Sequence, residues 1–149
     1  MRKVSLPTPV LRTPTLDPGT TFTGHAEDSL LDTFGRRARD LRISLTDFCN
    51  LRCSYCMPAE GVEFMPRDAA MSAEEIVRFA RIGVERFGVD QIRFTGGEPL
   101  TRHDITDIIA GVAALRPRPN IALTTNAIGL DNRAERLRDA GLDRINVSL

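Results

Sequence analysis

This chain of 149 residues lacks most of the signals by which a sequence announces a partner. Tryptophan is absent and tyrosine occurs once, which disfavours a platform for stacking nucleic-acid bases. Twenty basic residues balance twenty acidic ones, so no net field draws the chain toward nucleic acid or a membrane surface. No apolar run approaches the length of a bilayer span, and the opening MRKVSLPTPVLRTP has no apolar signal-peptide core. With three cysteines and two histidines, there is no second close ligand pair for a zinc finger, and the odd thiol count suits no disulfide framework. These absences predict a cytoplasmic protein with reduced thiols and neither a membrane nor a nucleic-acid partner. Lysine is nearly missing too, Lys3 being the only one. The basic charge is therefore carried by guanidinium forks, which suit bidentate phosphate contacts.

What the chain does have is concentrated. All three cysteines fall in Cys49-Asn-Leu-Arg-Cys53-Ser-Tyr-Cys56, spaced Cys-x3-Cys-x2-Cys. Thiolates this close in sequence can turn onto one metal centre without long-range folding. Ordinary iron–sulfur clusters take four cysteines, so three thiolates leave one iron open to bind and activate another molecule. Structural zinc completed by His25 or His103, and three inert buried thiols, are the competing readings; both histidines lie outside the loop.

Composition divides the chain in two. Pro7, Pro9, Pro14 and Pro18, set among threonines, make residues 1–28 a flexible Pro/Thr-rich tail that cannot bury a core. Leu30, Leu31 and Phe34 are expected to pack a short lead-in segment, and Arg36, Arg37 and Arg39 to lie on a solvated surface. From residue 41 a β/α pattern begins. LRISLT (41–46) reads as a strand leading into the cysteine loop. Ser72 and Glu75 form a capping-box pair ahead of Ile76, Val77, Ala80, Val84 and Phe87 at helical spacing, with Gly88 as the stop. QIRFT (91–95) is a second strand, running into Gly96-Gly97-Glu98-Pro99. Ile105, Ile108, Ile109, Val112 and Leu115 mark a helix ending before Pro117. NIALTT (120–125), a helix over Leu130, Ala134, Leu137 and Ala140 closed by Gly141, and DRINVSL (143–149) complete the alternation.

Strict strand–helix alternation implies a parallel α/β sheet with right-handed crossovers. The unusual sequences all follow or end a strand, at the carboxyl ends where such folds bind ligands. Period two then sorts the strand residues. Ile43, Leu45, Ile92, Phe94, Ile121, Leu123, Ile145 and Val147 are expected under the helices. The opposite face carries Arg42, Ser44 and Thr46, then Gln91, Arg93 and Thr95, then Thr124 and Asn126, then Arg144, Asn146 and Ser148. An arginine-lined inner face predicts a ligand with negative charge; the competing reading is a half-exposed sheet whose arginines pair with Asp40, Asp47 or Glu98.

The cysteine spacing, followed after a strand by Gly96-Gly97-Glu98-Pro99, resembles the radical S-adenosylmethionine (radical SAM) superfamily. The run LRISLTDFCNLRCSYCMPAEGVEF is similar to the GTP 3′,8-cyclase family, which performs the first step of molybdenum-cofactor biosynthesis. The resemblance covers roughly residues 30–149. It implies a partial (β/α) TIM-like radical SAM barrel, its first four parallel strands only, with residues 29–149 the N-terminal part of the core domain. It further implies a 4Fe-4S cluster on Cys49, Cys53 and Cys56, and S-adenosylmethionine contacts at Tyr55, Gly97 and Ser148. Arg42, Arg93 and Thr124 match positions that contact GTP in that family. There, the reduced cluster splits S-adenosylmethionine, and the resulting 5′-deoxyadenosyl radical takes a hydrogen from the GTP ribose. An electron donor such as flavodoxin or ferredoxin and a downstream cyclic pyranopterin synthase are the implied partners. No catalytic residue of the protein itself is assigned.

The sequence departs from the family at Phe48, where arginine is frequent, and at Ala127, where glycine is frequent. Ala127 strains its turn only if φ there is positive. Arg102 is a candidate phosphate contact or a surface charge, and His103 a helix-start residue. The family's second, C-terminal cluster needs a further cysteine triplet, which this chain does not contain. The expectation is therefore a fragment that assembles the first cluster but does not turn over GTP. The alternatives are another radical SAM enzyme, such as an activase or a peptide maturase, and a non-catalytic metal-binding fragment.

Overall fold

The spacing of apolar residues in the sequence is realised as one sheet covered by helices. A computed structural model describes residues 30–32, 34, 36–58, 60–66 and 69–148. Its elements in chain order are β1 (Asp40–Ser44), α1 (Ala73–Phe87), β2 (Gln91–Thr95), α2 (Ile105–Ala113), β3 (Asn120–Thr125), α3 (Ala134–Asp139) and β4 (Arg144–Val147). All strand pairs are parallel and the sheet order is β1-β2-β3-β4. Each helix returns the chain to start the neighbouring strand in the same direction, as a βαβ crossover requires.

Local chemistry places the helix ends. Ser72 Oγ accepts from the Glu75 amide at 3.2 Å, and Glu75 Oε2 accepts from the Ser72 amide at 2.8 Å, closing the capping box of α1. Gly88 ends α1 with φ of 68°, a left-handed conformation that glycine adopts without steric cost. Residues 99–101 form a single 3-10 turn that lifts the chain from Glu98 toward α2.

The core lies between the sheet and the helices. Ile43, Leu45, Ile92, Phe94, Ile121 and Leu123 are buried beneath Ile76, Ala80 and Val84 of α1 and Ile105, Ile108, Ile109 and Val112 of α2, as the period-two and helical patterns predict. Gly111 allows α2 to lie close to α1, since a Cβ there would stand 2.6 Å from Val77 Cγ2. Burying this many branched side chains, each worth about 1.5–3 kcal/mol, is what holds the sheet to its helices.

Two packing expectations are corrected. Ile145 is only partly buried and Val147 is half exposed, because among the described residues no helix covers the end of β4. Leu30, Leu31 and Phe34 are exposed rather than packed. Their turn is held instead by Asp32, whose carboxylate accepts from the amides of Phe34 and Arg36 and from the Arg36 guanidinium. The expected tail, residues 1–28, lies outside the described residues. Among the described residues, no helix is long and apolar enough to cross a membrane.

Candidate functional site

The ends of β1, β2 and β3 are tied into one knot. Leu45 donates its amide to Thr95 O at 2.8 Å, extending the β1–β2 ladder by one bond. Beyond it the Gly96-Gly97 turn folds back against the entrance of the cysteine loop. The Gly97 amide donates to Thr46 O at 2.7 Å, and the Glu98 amide to Phe48 O at 2.8 Å. A Cβ on Gly97 would meet Phe48 O at 2.2 Å, and one on Gly96 would meet Thr46 O at 2.3 Å. These glycines are thus required for backbone-to-backbone contact with the residues that launch the cysteine loop.

The sequence offers Glu98 as an ion-pair partner for the inner-face arginines, but in the structure it bonds to Leu100, Thr125 and Asn126 instead. Its side chain is 1% exposed, and both oxygens are used. Oε1 accepts from the Leu100 amide at 2.9 Å and from Thr125 Oγ1 at 2.6 Å; Oε2 accepts from the Asn126 amide at 2.7 Å. A buried carboxylate without hydrogen bonds is costly, and these three compensate Glu98 while fixing the end of β3 to the end of β2. Asn126 carries the link onward, donating Nδ2 to Asn50 Oδ1 within the cysteine loop at 2.8 Å. Of the Glu98 partners, Leu100 is two residues away, but Thr125 and Asn126 lie 27 and 28 residues downstream, beyond the reach of local sequence.

Cys49 and Cys53 are half-buried and Cys56 is exposed; all three are free thiols. A tight turn sets the second half of the loop, with the amides of Cys56 and Met57 both donating to Cys53 O at 3.0 Å. The Leu51 amide points at Cys49 Sγ at 3.4 Å. Among the described residues, no three His, Cys, Asp or Glu side chains are gathered closely enough to hold a metal ion. The donor set nonetheless fits an iron–sulfur cluster in kind: soft thiols, unpaired, on one short loop whose entrance is pinned by backbone bonds. Around the loop, Phe48 packs edge-on to Phe64 at 5.2 Å, and the Arg52 guanidinium lies 5.2 Å from the Phe64 ring centroid.

The three positions expected to contact S-adenosylmethionine are set on different segments. Tyr55 stands out on the loop turn, 78% exposed, Gly97 is half-buried in the knot, and Ser148 is exposed just past β4. The Ser148 amide donates to Thr125 O at 2.9 Å, which ties it to the end of β3. The structure does bring the expected substrate residues together. Arg42, Arg93 and Thr124 line a single open cavity of about 460 Å³ on the inner face of the sheet. Arg93 also takes the competing structural role, its Nη2 meeting Asp40 Oδ2 at 2.9 Å.

Arg102 is not a free surface charge but is engaged within the fold. Its Nε and Nη2 fork onto Asp104 at 2.9 and 2.6 Å, and Nη1 donates to Leu45 O and Met71 O. This bidentate contact holds the Asp104 carboxyl below its ordinary range, against the opposing effect of burial. Arg102 therefore staples the end of β1 and the approach to α1 to the start of α2. His103 is exposed directly before α2, where it was expected.

Residues 43–149 match the radical SAM superfamily. The chain is 59% identical over 120 residues to a GTP 3′,8-cyclase of Mycobacterium sp. (strain KMS), covering 80% of this chain and 34% of the relative. It is 58% identical over 124 residues to a GTP 3′,8-cyclase of Mycolicibacterium smegmatis, covering 83% and 34%. A GTP 3′,8-cyclase of Corynebacterium glutamicum is 59% identical over 124 residues, at 80% and 33% coverage. The chain thus spans about a third of the length of the curated relatives it matches. In fold it is similar to a crystal structure of BtrN in complex with AdoMet and 2-DOIA. The TM-score is 0.62 at 19% identity, covering 75% of this chain and 46% of that one.

Proposed function

This chain belongs to the radical SAM superfamily, and from that premise we propose that it carries the cluster-binding and nucleotide-binding part of a GTP 3′,8-cyclase of molybdenum-cofactor biosynthesis. The observation that carries this reading is its 59% identity to such a cyclase over 120 residues. Bound at the loop, a 4Fe-4S cluster with one open iron supplies one-electron cleavage of S-adenosylmethionine. Cys49, Cys53 and Cys56 hold that cluster as thiolates. Tyr55, Gly97 and Ser148 contact S-adenosylmethionine, and the Glu98 bonds keep the Gly97 turn and the end of β3 at fixed spacing while they do so. Arg42 and Arg93 take the phosphates of GTP, with Thr124 beside them, in the cavity that all three line. An electron donor such as flavodoxin or ferredoxin supplies the reducing electron, and a cyclic pyranopterin synthase takes the product. The setting is the cytoplasm, where thiols stay reduced.

The test is anaerobic reconstitution with iron and sulfide. We expect about four irons and four sulfides per chain, lost on Cys56→Ala, and a cluster spectrum perturbed by S-adenosylmethionine. Zinc without sulfide at these thiols would support the non-catalytic metal-binding reading instead. GTP should then bind in preference to ATP; a cluster without nucleotide preference would favour a different radical SAM activity.

A further inference from the structure

The strand register places residues from four distant segments side by side. One row across the sheet is Arg42, Arg93, Ala122 and Arg144. The next row toward the carboxyl ends pairs Ser44 with Thr95 and Thr124 with Asn146; Thr95 and Thr124 each directly follow the Phe94–Leu123 pair. Adjacent strands stand about 4.8 Å apart, so Arg42 and Arg93 are immediate neighbours and Arg144 lies about 10 Å beyond Arg93. Ala122 between them is buried and carries only a methyl group, so no long side chain separates Arg93 from Arg144 in this row. Arg144 and Asn146 line that same cavity together with Arg42, Arg93, Thr95 and Thr124.

The charges in this row do not balance. Like charges directly opposite on neighbouring strands destabilise a sheet unless something compensates them. Among the described residues, Asp40 is the carboxylate that meets the row, and it engages Arg93 alone. Arg93 Nε is buried with no partner. Arg144 is exposed, and among the described residues it makes no ion pair or hydrogen bond, so its guanidinium fork is uncommitted. A ligand bearing several phosphates would supply the missing negative charge across this row.

We propose that Arg144, with Asn146 beside it, is a further phosphate-binding residue of this face, acting with Arg42 and Arg93 from the far side of Ala122. The inference rests on the reading of this cavity as the GTP site and adds to it a contact on β4. Arg144 closes on a phosphate oxygen bidentately, and the Asn146 amide donates a neutral hydrogen bond one row above.

Equilibrium titration with GTP and with inorganic tripolyphosphate tests this on the whole chain and its variants. Arg144→Ala is expected to weaken both ligands about tenfold or more, as loss of a charge-assisted contact does. Arg144→Lys, which keeps the charge but not the fork, should fall between. Arg138→Ala, a surface arginine paired with its neighbour Asp139, serves as the control and should bind as the parent does. Melting temperatures of all variants should match; if that of Arg144→Ala falls, Arg144→Lys decides. Parent-like affinity in the Arg144 variants, with binding lost in Arg42→Ala, overturns the role of Arg144 and leaves the nucleotide site standing. Failure of the parent chain to bind either ligand, or parent-like binding in Arg42→Ala, overturns the nucleotide site itself and this inference with it.

Discussion

Ala127 follows β3 with φ of 65°, a left-handed torsion that costs a residue with a Cβ about 1–2 kcal/mol. The torsion persists because the turn around it is over-determined. The Ala127 amide donates to Thr125 Oγ1 at 3.0 Å, and the Ile128 amide to Asn126 Oδ1 at 3.0 Å. Both Thr125 and Asn126 are in turn held by Glu98. Ala127→Gly should therefore raise stability by about 1 kcal/mol, read as a higher melting temperature; an unchanged or lower value would mean the turn relaxes freely. The sequence already marked this position, because a resemblance with glycine there raises the question of φ. Only the backbone answered it. Arg93 shows the opposite limit. Period two placed it on the inner face, and the structure agrees, but whether it serves Asp40 or a ligand depends on a carboxylate fifty-three residues away.

At the scale of elements, the strands and helices were largely legible. The capping box at Ser72, the stop at Gly88 and the apolar spacing of α1 and α2 are local signals, and the helices form where those signals lie. Strand ends were read less well: β1 was expected to reach residue 46, yet its ladder gives way after Leu45 to bonds with the Gly96-Gly97 turn. Side-chain contacts from a neighbouring loop decide such ends. Glu98 is the clearest instance, since it joins the ends of β2 and β3. Glu98→Gln would face the Asn126 amide or its other two donors with an NH2 group, leaving at least one buried donor unpaired. The expected loss is about 2 kcal/mol, measured by denaturant unfolding; a loss below the error of that measurement would mean that the knot does not depend on the carboxylate.

For the molecule as a whole, stability should carry an acid dependence from the staple between β1, α1 and α2. The Arg102 fork keeps the folded Asp104 carboxyl below its ordinary value of 3.8. A depressed folded value contributes stability that is fully present above the unfolded value and is lost as pH falls through the folded one. Unfolding midpoints followed from pH about 6 down to about 2 should thus fall more steeply in the parent than in Asp104→Asn; parallel curves would refute the staple. By itself the sequence determined the parallel α/β class, the helix starts and stops, and which residues share the inner face. It also determined that three thiols sit on one loop. All of these follow from spacing within a few residues, where backbone geometry leaves little choice. The tertiary structure alone decided that Arg42, Arg93 and Arg144 form one row across an alanine, and that Glu98 faces inward to tie strand ends together. It also decided that Arg102 bonds the end of β1 and the approach to α1 to Asp104 at the start of α2. Register and burial set those relations, and both arise only when segments far apart in the chain pair through the sheet and close over a common core.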